Sequence, residues 1–431
     1  MQPSPSNSSL PPFSAVKRFA DNVRSTVNRV IVGKDNVIDL LLVALLSDGH
    51  VLLEDTPGMG KTVLAKSLAR ALDASFQRIQ GTPDLEPTDV TGVSFFDQKR
   101  GDFVFRPGPI FGQVLLFDEI NRTTPRTQSA LLEAMAERQV TVDRETYPLP
   151  APFLTLATQN PIELDGTFPL PEAQLDRFLM RVRVGYPTPA EELTILHRFK
   201  TEEPLDDLKP VASAAEVVAL QQVIRQARWQ PDVEAYLLSI VRATRGHLAV
   251  TIGASPRAAL ALYRASEALA AIRGRDYVEP DDVKQLAPVV LAHRLIIETR
   301  ARLAGMTADK VMSEIVNSAA VPVEALQPGQ PAPVGVAAVG VPGAPVMAGQ
   351  AVPGMPGMPA LPGAPIYPPV AYPAAPYSPS APGQAAPMYP PMYPPAYPPV
   401  YPPTPAAPQA PPQAAPASTA STDGRTPPAG N

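Results

Sequence analysis

The chain has 431 residues, enough for two folded domains, with 36 Lys and Arg against 41 Asp and Glu and a net charge of −5. That balance excludes a general electrostatic pull toward nucleic acid or an anionic membrane surface. The absence of cysteine excludes disulfides and thiolate metal sites, and the four histidines, at 50, 197, 247 and 293, lack zinc-ligand spacing.

Residues 1–12 are polar and rich in Pro and Ser, without the charged start and apolar core of a signal peptide, and are expected to be disordered. The most apolar helical stretch, Val37 to Leu46, spans ten residues and contains Asp39, which suits a buried helix rather than a membrane span. A soluble cytoplasmic protein with no transmembrane segment is the expectation. From 13 to 190, apolar strand-like runs alternate with helical patterns, the mark of an α/β domain with a parallel sheet.

The run His50–Glu54 reads as a buried strand, and Val63–Arg70 reads as a helix. Between them lie Thr56, Pro57, Gly58, Met59, Gly60, Lys61 and Thr62, the end of a phosphate-binding loop. Strand, glycine turn and helix are the context this motif requires. Backbone N–H groups from 57 to 62 would surround phosphates at the helix start, where Val63 follows. Lys61 would reach the β- and γ-phosphates of ATP, and Thr62 would hold Mg²⁺. The strict motif asks for glycine at position 55, where this chain has Asp55. That position is at the strand exit, on the far side of the turn, so an acid is sterically tolerable there.

Gln113–Glu119 is a second apolar strand, ending in two acids. Asp118 would bind Mg²⁺ through water, and Glu119 would polarise the water that attacks the γ-phosphate. A third strand, Phe153–Thr158, ends at Gln159 and Asn160, an amide suited to orienting that water. Arg177 follows Leu175-Asp176, and Arg257 follows Ser255-Pro256 at a helix start. A guanidinium suits developing phosphoryl charge because its fork is planar and always ionised. Taken singly, an acidic turn, an Asn-Pro turn and a surface arginine are commonplace; their joint spacing carries the reading.

Residues 191–320 show amphipathic helices (Ala215–Ala227, Val233–Thr244, Arg257–Arg273) and no strand-like runs. Beyond them, 33 of the 57 prolines lie from Val321 onward, and no charged residue falls between Ala325 and Thr422. Prolines and glycines forbid a membrane helix there, so 321–431 reads as a disordered, polyproline-II-like tail. Its repeat MYPPMYPPAYPPVYPP (388–403) contains P-P-x-Y ending at Tyr393, Tyr397 and Tyr401. That repeat suits either an aromatic groove or a plain spacer.

Long stretches of the chain resemble the MoxR family of AAA+ ATPases: VIVGKDNVIDLLLVALLSDGHVLLEDTPGMGKT (30–62), RIQGTPDLEPTDVTG (78–92), FVFRPGPIFGQVLLFDEINRTTPRTQSALLEAMAERQVTVD (103–143), LATQNPIELDGTFPLPEAQLDRFLMRV (156–182) and GASPRAALAL (253–262). The likeness covers roughly residues 15 to 320 and leaves out the tail. It implies an α/β P-loop AAA+ core at 13–190, an all-α lid at 191–320, and Walker A and B roles for Lys61, Thr62, Asp118 and Glu119. It also implies that Val30–Lys34, with Val32 and Gly33, line the adenine pocket. By the same resemblance Asn160 is sensor 1, and Arg257 is sensor 2, bridging lid to γ-phosphate. Arg177 is the arginine finger offered to a neighbouring subunit, with Arg181 as the alternative.

A finger in trans implies a homo-oligomeric ring, a hexamer. The resemblance further implies chaperone-like remodelling or maturation of client proteins with a partner carrying a von Willebrand factor A domain. Two β-hairpins, at Val93–Pro109 and Gln139–Leu149, would face the pore, unless Phe95, Phe96, Phe103 and Phe105 are packed core. A magnesium-chelatase-like subunit, a nucleic-acid-dependent motor and a nucleotide-switched scaffold using the tail are the competing readings. The acidic balance counts against nucleic acid as a partner.

Overall fold

The computed structural model describes residues 12–56, 58–160, 166–200 and 204–322. The N-terminal dozen apart from Pro12, Pro57, and the tail with its Tyr repeat lie outside the described residues. Two helices come first, α1 (Pro12–Val27) and α2 (Asp35–Leu46). Every residue of α2 from Leu40 to Leu46 is buried, as its nearly unbroken apolar sequence predicts.

The nucleotide-sized core follows in chain order: β1 (Val51–Glu54), α3 (Lys61–Ala71), β2 (Phe76–Gln80), α4 (Pro87–Thr91), β3 (Gly92–Asp97), β4 (Asp102–Pro107), β5 (Val114–Asp118), α5 (Pro125–Glu137), β6 (Gln139–Val142), β7 (Glu145–Pro148), β8 (Leu154–Gln159), α6 (Glu172–Leu175) and β9 (Met180–Val182). Five of these strands form one parallel sheet in the order β2-β5-β8-β1-β9. Its central strands carry apolar residues on both faces because both are covered. Leu116, Leu154, Leu156, Val51 and Leu53 pack toward α1, α2 and α3, whereas Leu115, Phe117, Leu52 and Ala157 pack toward α4 and α5. The C-terminal ends of β1, β5 and β8 therefore emerge side by side, with β2 at the flank.

Two antiparallel hairpins project from this core. Asp143 and Arg144, at φ 50° and 75°, make the tight turn of β6–β7, while Gly101 at φ 67° serves the turn of β3–β4. Phe96 and Phe103 sit edge to face across the first hairpin, and Phe105 stacks on Tyr147 of the second at 4.1 Å. Phe95, Phe96 and Phe103 are exposed, so they are not core residues.

The remaining helices are α7 (Pro189–Arg198), α8 (Ala214–Ile224), α9 (Pro231–Gly246), α10 (Pro256–Ile272), α11 (Pro280–Leu291), α12 (Thr299–Leu303) and α13 (Ala308–Ser318). The region read as free of strands contains one small ribbon, β10 (Val250–Ile252) paired antiparallel with β11 (Ile296–Ile297). Strands of two and three residues are too short to leave a period in the sequence. Ser255 caps α10 by accepting the Ala258 N–H at 3.1 Å, with Pro256 at the first helical position. That cap fixes Arg257 in the opening turn. No helix among the described residues is long and apolar enough to cross a membrane.

Candidate nucleotide site

The P-loop joins β1 to α3. Gly60, at φ 75°, takes a left-handed backbone just before Lys61 and lets the chain turn into the helix. A cleft of about 380 Å³ opens there, lined by Asp55, Gly58, Met59, Gly60, Lys61, Thr62, Val63, Arg78, Gln80, Asp118, Glu119, Thr158 and Asn160. The sequence motifs from three separate strands thus converge on one cleft at the C-terminal edge of the sheet, where α/β proteins bind ligands.

Lys61 Nζ donates to the Asp55 carbonyl oxygen at 2.8 Å, which holds the side chain back along the loop. Burial pushes its ammonium below the usual lysine range, while Asp55, Asp118 and Glu119 pull it back up. Thr62 Oγ1 and Asp118 Oδ2 face each other at 3.5 Å. A hydroxyl and a carboxylate are hard oxygen donors of the kind that suit Mg²⁺ held jointly with phosphates. Among the described residues no group of three or more His, Cys, Asp or Glu could hold a metal alone. Asp118 Oδ1 accepts from Thr158 Oγ1 at 3.2 Å, and the Glu119 N–H donates to that same Oγ1 at 2.8 Å.

Glu119 has a left-handed backbone, φ 57° and ψ 51°, which swings its side chain out of the strand direction. Its Oε2 accepts from Gln80 Nε2 at 2.8 Å and from Arg122 at 3.1 Å. Beneath this turn, a Cβ on Gly81 would lie 2.3 Å from the Glu119 carbonyl oxygen and 2.9 Å from that of Asp118. Only glycine fits there.

Asp55, the departure from the strict motif, turns away from the loop. Its carboxylate accepts the Gly185 N–H at 2.7 Å and the Thr56 N–H at 3.1 Å. It pins the segment after β9 to the start of the P-loop. Thr56 itself reaches Tyr186, 3.4 Å away, and lines neither this cleft nor the next.

A second cleft of about 440 Å³ adjoins the first through Gly58, Met59, Gly60 and Val63. Val30, Ile31, Val32 and Lys34 form one wall; Tyr186, Ile195 and Phe199 form the other. This apolar slot has the size and character for a planar base. Gly33 does not line it. With φ 70° it turns the chain, and the Glu191 carboxylate of α7 packs so close that a Cβ would collide with it.

The arginines are elsewhere. Arg177 and Arg257 line a third cleft, of about 320 Å³, together with Arg138, Arg264 and Arg294. Neither lines the P-loop cleft of its own chain. For Arg257 this departs from the expected bridge between lid and γ-phosphate within one chain. Its nearest acid is Asp176, at 3.9 Å. The reason is how the lid docks: α10 packs on α1 and α2, behind the sheet, and Arg294, just after α11, locks the turn that carries Arg177. Arg294 is nearly fully buried. It donates to Asp176 Oδ1 at 2.7 Å, to the Phe178 carbonyl at 2.7 Å and to the Leu179 carbonyl at 3.1 Å. Arg181 is committed to Glu54 and to Asp309 of α13, at 3.6 and 3.4 Å, and lines none of these clefts.

Arg78, Gln80, Arg122, Arg294 and the Tyr186, Ile195 and Phe199 wall are site residues that motif reading missed. For the first two a signal existed: RIQG ends a strand parallel to the one bearing Asp118.

Sheet order, phosphate loop and adjoining slot together define a P-loop nucleotide-binding unit with a helical lid. Comparison with known proteins agrees. The model of the ATPase family associated with various cellular activities (AAA) matches residues 50–180, and that of the AAA lid domain matches 242–315. The uncharacterised protein YeaC of Bacillus subtilis is 49% identical over 298 residues, 69% of this chain and 93% of YeaC. Chaperone MoxR1 of Mycobacterium tuberculosis is 43% identical over 305 residues, 69% of this chain and 80% of the relative. The crystal structure of an inferred ATPase from Cytophaga hutchinsonii superposes with a TM-score of 0.68 at 36% identity, covering 72% of this chain and 97% of that one. The chain belongs to the MoxR family of AAA+ ATPases.

Proposed function

We propose that this ATPase hydrolyses ATP with Mg²⁺ in a homo-oligomeric ring, a hexamer, and uses the cycle to remodel or mature client proteins, working with a partner that carries a von Willebrand factor A domain. The observation that carries the reading is the convergence of Lys61, Thr62, Asp118 and Glu119 on one cleft. In it, the N-terminus of α3 and Lys61 bind the triphosphate, Thr62 and Asp118 hold the metal, Glu119 takes up the proton of the attacking water, and Asn160 orients that water. Mg²⁺, when bound, neutralises charge on the β- and γ-phosphates.

Support for a ring comes from the third cleft. Arg177 and Arg257 share a surface that holds no phosphate loop, and the P-loop cleft lacks both. A neighbouring subunit brings the two together, so Arg177 acts as finger and Arg257 joins it from the same side. The exposed Phe95, Phe96 and Phe103 on the β3–β4 hairpin give such a ring an apolar surface for clients.

Glu119→Gln tests the chemistry. Turnover should fall by about 10²-fold or more, the usual contribution of a general base, while ATP stays bound. Undiminished phosphate release from that variant overturns the reading.

A further inference from the structure

We propose that Arg78 competes with the metal: its guanidinium engages the Asp118 oxygen that a Mg²⁺-bound water must claim, and metal loading requires it to swing away. The inference rests on the ATP and Mg²⁺ reading above and adds a residue which that reading does not use.

Asp118 offers one oxygen to a cation. Its Oδ1 is engaged by Thr158 Oγ1, which is itself fixed by the Glu119 N–H. Its Oδ2 accepts the Arg78 Nε–H at 2.8 Å, with the Nη2 of the same guanidinium also 2.8 Å away as an ion pair, and only a long contact from Thr62 at 3.5 Å. Arg78 thus holds the oxygen from the β2 side while Thr62 stands off. A divalent cation brought to that oxygen is repelled by the guanidinium, because like charges a few ångströms apart interact strongly in a partly enclosed cleft. The contest for Oδ2 therefore bears directly on metal entry.

The mobility is one-sided. The Arg78 side chain is 46% exposed and that of Asp118 is 11% exposed, so Arg78 can pivot into solvent and Asp118 cannot. The motion is also tied to the second acid. Arg78 donates to Gln80 Oε1 at 2.8 Å, and Gln80 Nε2 donates to Glu119 Oε2 at 2.8 Å. An unbroken chain of hydrogen bonds therefore links both acids through Arg78 and Gln80.

The test titrates Mg²⁺ into the full chain with a fluorescent, non-hydrolysable ATP analogue at constant ionic strength, reading bound analogue rather than turnover. Arg78→Ala should lower the Mg²⁺ concentration at half-saturation by about two- to fivefold, the scale of a partly exposed ion pair. Arg78→Lys, which keeps the charge without the two-pronged geometry, should fall between Arg78→Ala and the parent chain. Half-saturation unchanged or raised in Arg78→Ala overturns the proposal and makes Arg78 an ordinary surface pair or a phosphate ligand. A parent chain that binds the analogue without any response to Mg²⁺ overturns the underlying metal reading instead, so the two failures are distinguishable.

Discussion

The P-loop cleft and the arginine-lined cleft share no lining residue, although one chain builds both. The first gathers acids, a lysine and helix N–H groups from the ends of parallel strands, yet no guanidinium reaches it from the lid. The second gathers five arginines against Asp48 and Asp176, with no loop to cradle a phosphate. The first is built by the sheet, whose register places β1, β5 and β8 edge to edge. The second is built by docking of α10 and the turn after α11 onto the core. What they teach is that the residues assigned to phosphoryl transfer are divided between two clefts rather than gathered in one pocket.

The sharpest attack on that contrast is subunit mixing. Arg177→Ala should reduce turnover by about 10³-fold, the lower end of the range for arginine fingers. Mixed in equal amounts with Glu119→Gln, itself strongly impaired, it should regain activity at roughly a quarter of sites if the ring's head-to-tail interface joins one subunit's finger to its neighbour's acid. Steady-state phosphate release measures this, and no recovery on mixing would mean the two faces do not meet.

Arg294→Ala probes how the second face is held. It strips a nearly buried guanidinium from Asp176 and from the carbonyls of Phe178 and Leu179. Denaturant unfolding should show a loss of about 3 kcal/mol, as when one partner of a buried pair is removed. Turnover should drop as in Arg177→Ala, while ATP retention by the P-loop face persists. Loss of both together would show that the faces are not independently built.

The smallest effect concerns Glu267 on α10. Burial pushes its carboxyl up to about 6 from the ordinary 4.5, against a hydrogen bond from Trp229 and the charges of Arg264 and Arg225. A raised folded value means that its stabilising contribution is complete below pH 4.5 and lost as pH rises through about 6. Glu267→Gln should accordingly be the more stable chain above that window, by up to about 2 kcal/mol, with the gap closing as pH falls. Urea midpoints at several pH values check the sign. If the lid's stability is uncoupled from the nucleotide face, ATP retention should not follow the same curve.

The sequence disclosed the first face better than the second for a physical reason. β1, β5 and β8 are buried on both sides, so each appears as an unbroken apolar run, and the chemistry sits at its end. Helix α2 is legible in the same way. The polar strand β2, with Gln77, Arg78 and Gln80 around a single buried Ile79, carries no such run, and its two site residues passed unnoticed. The hairpin turns were legible from Gly101 and from Asp143–Glu145, whereas the exposure of Phe95, Phe96 and Phe103 was not, because an aromatic side chain reads alike in core and surface. Arg257 was visible at a helix start. Which cleft it serves depends on how α10 docks against α1 and α2, and no local period encodes that.

Gly81 packs against the carbonyl oxygens of Asp118 and Glu119, with room for a hydrogen atom and no more. Alanine there would jack up the backbone of Asp118 and Glu119 together. One added methyl, at a residue outside the cleft lining, would displace both acids from underneath.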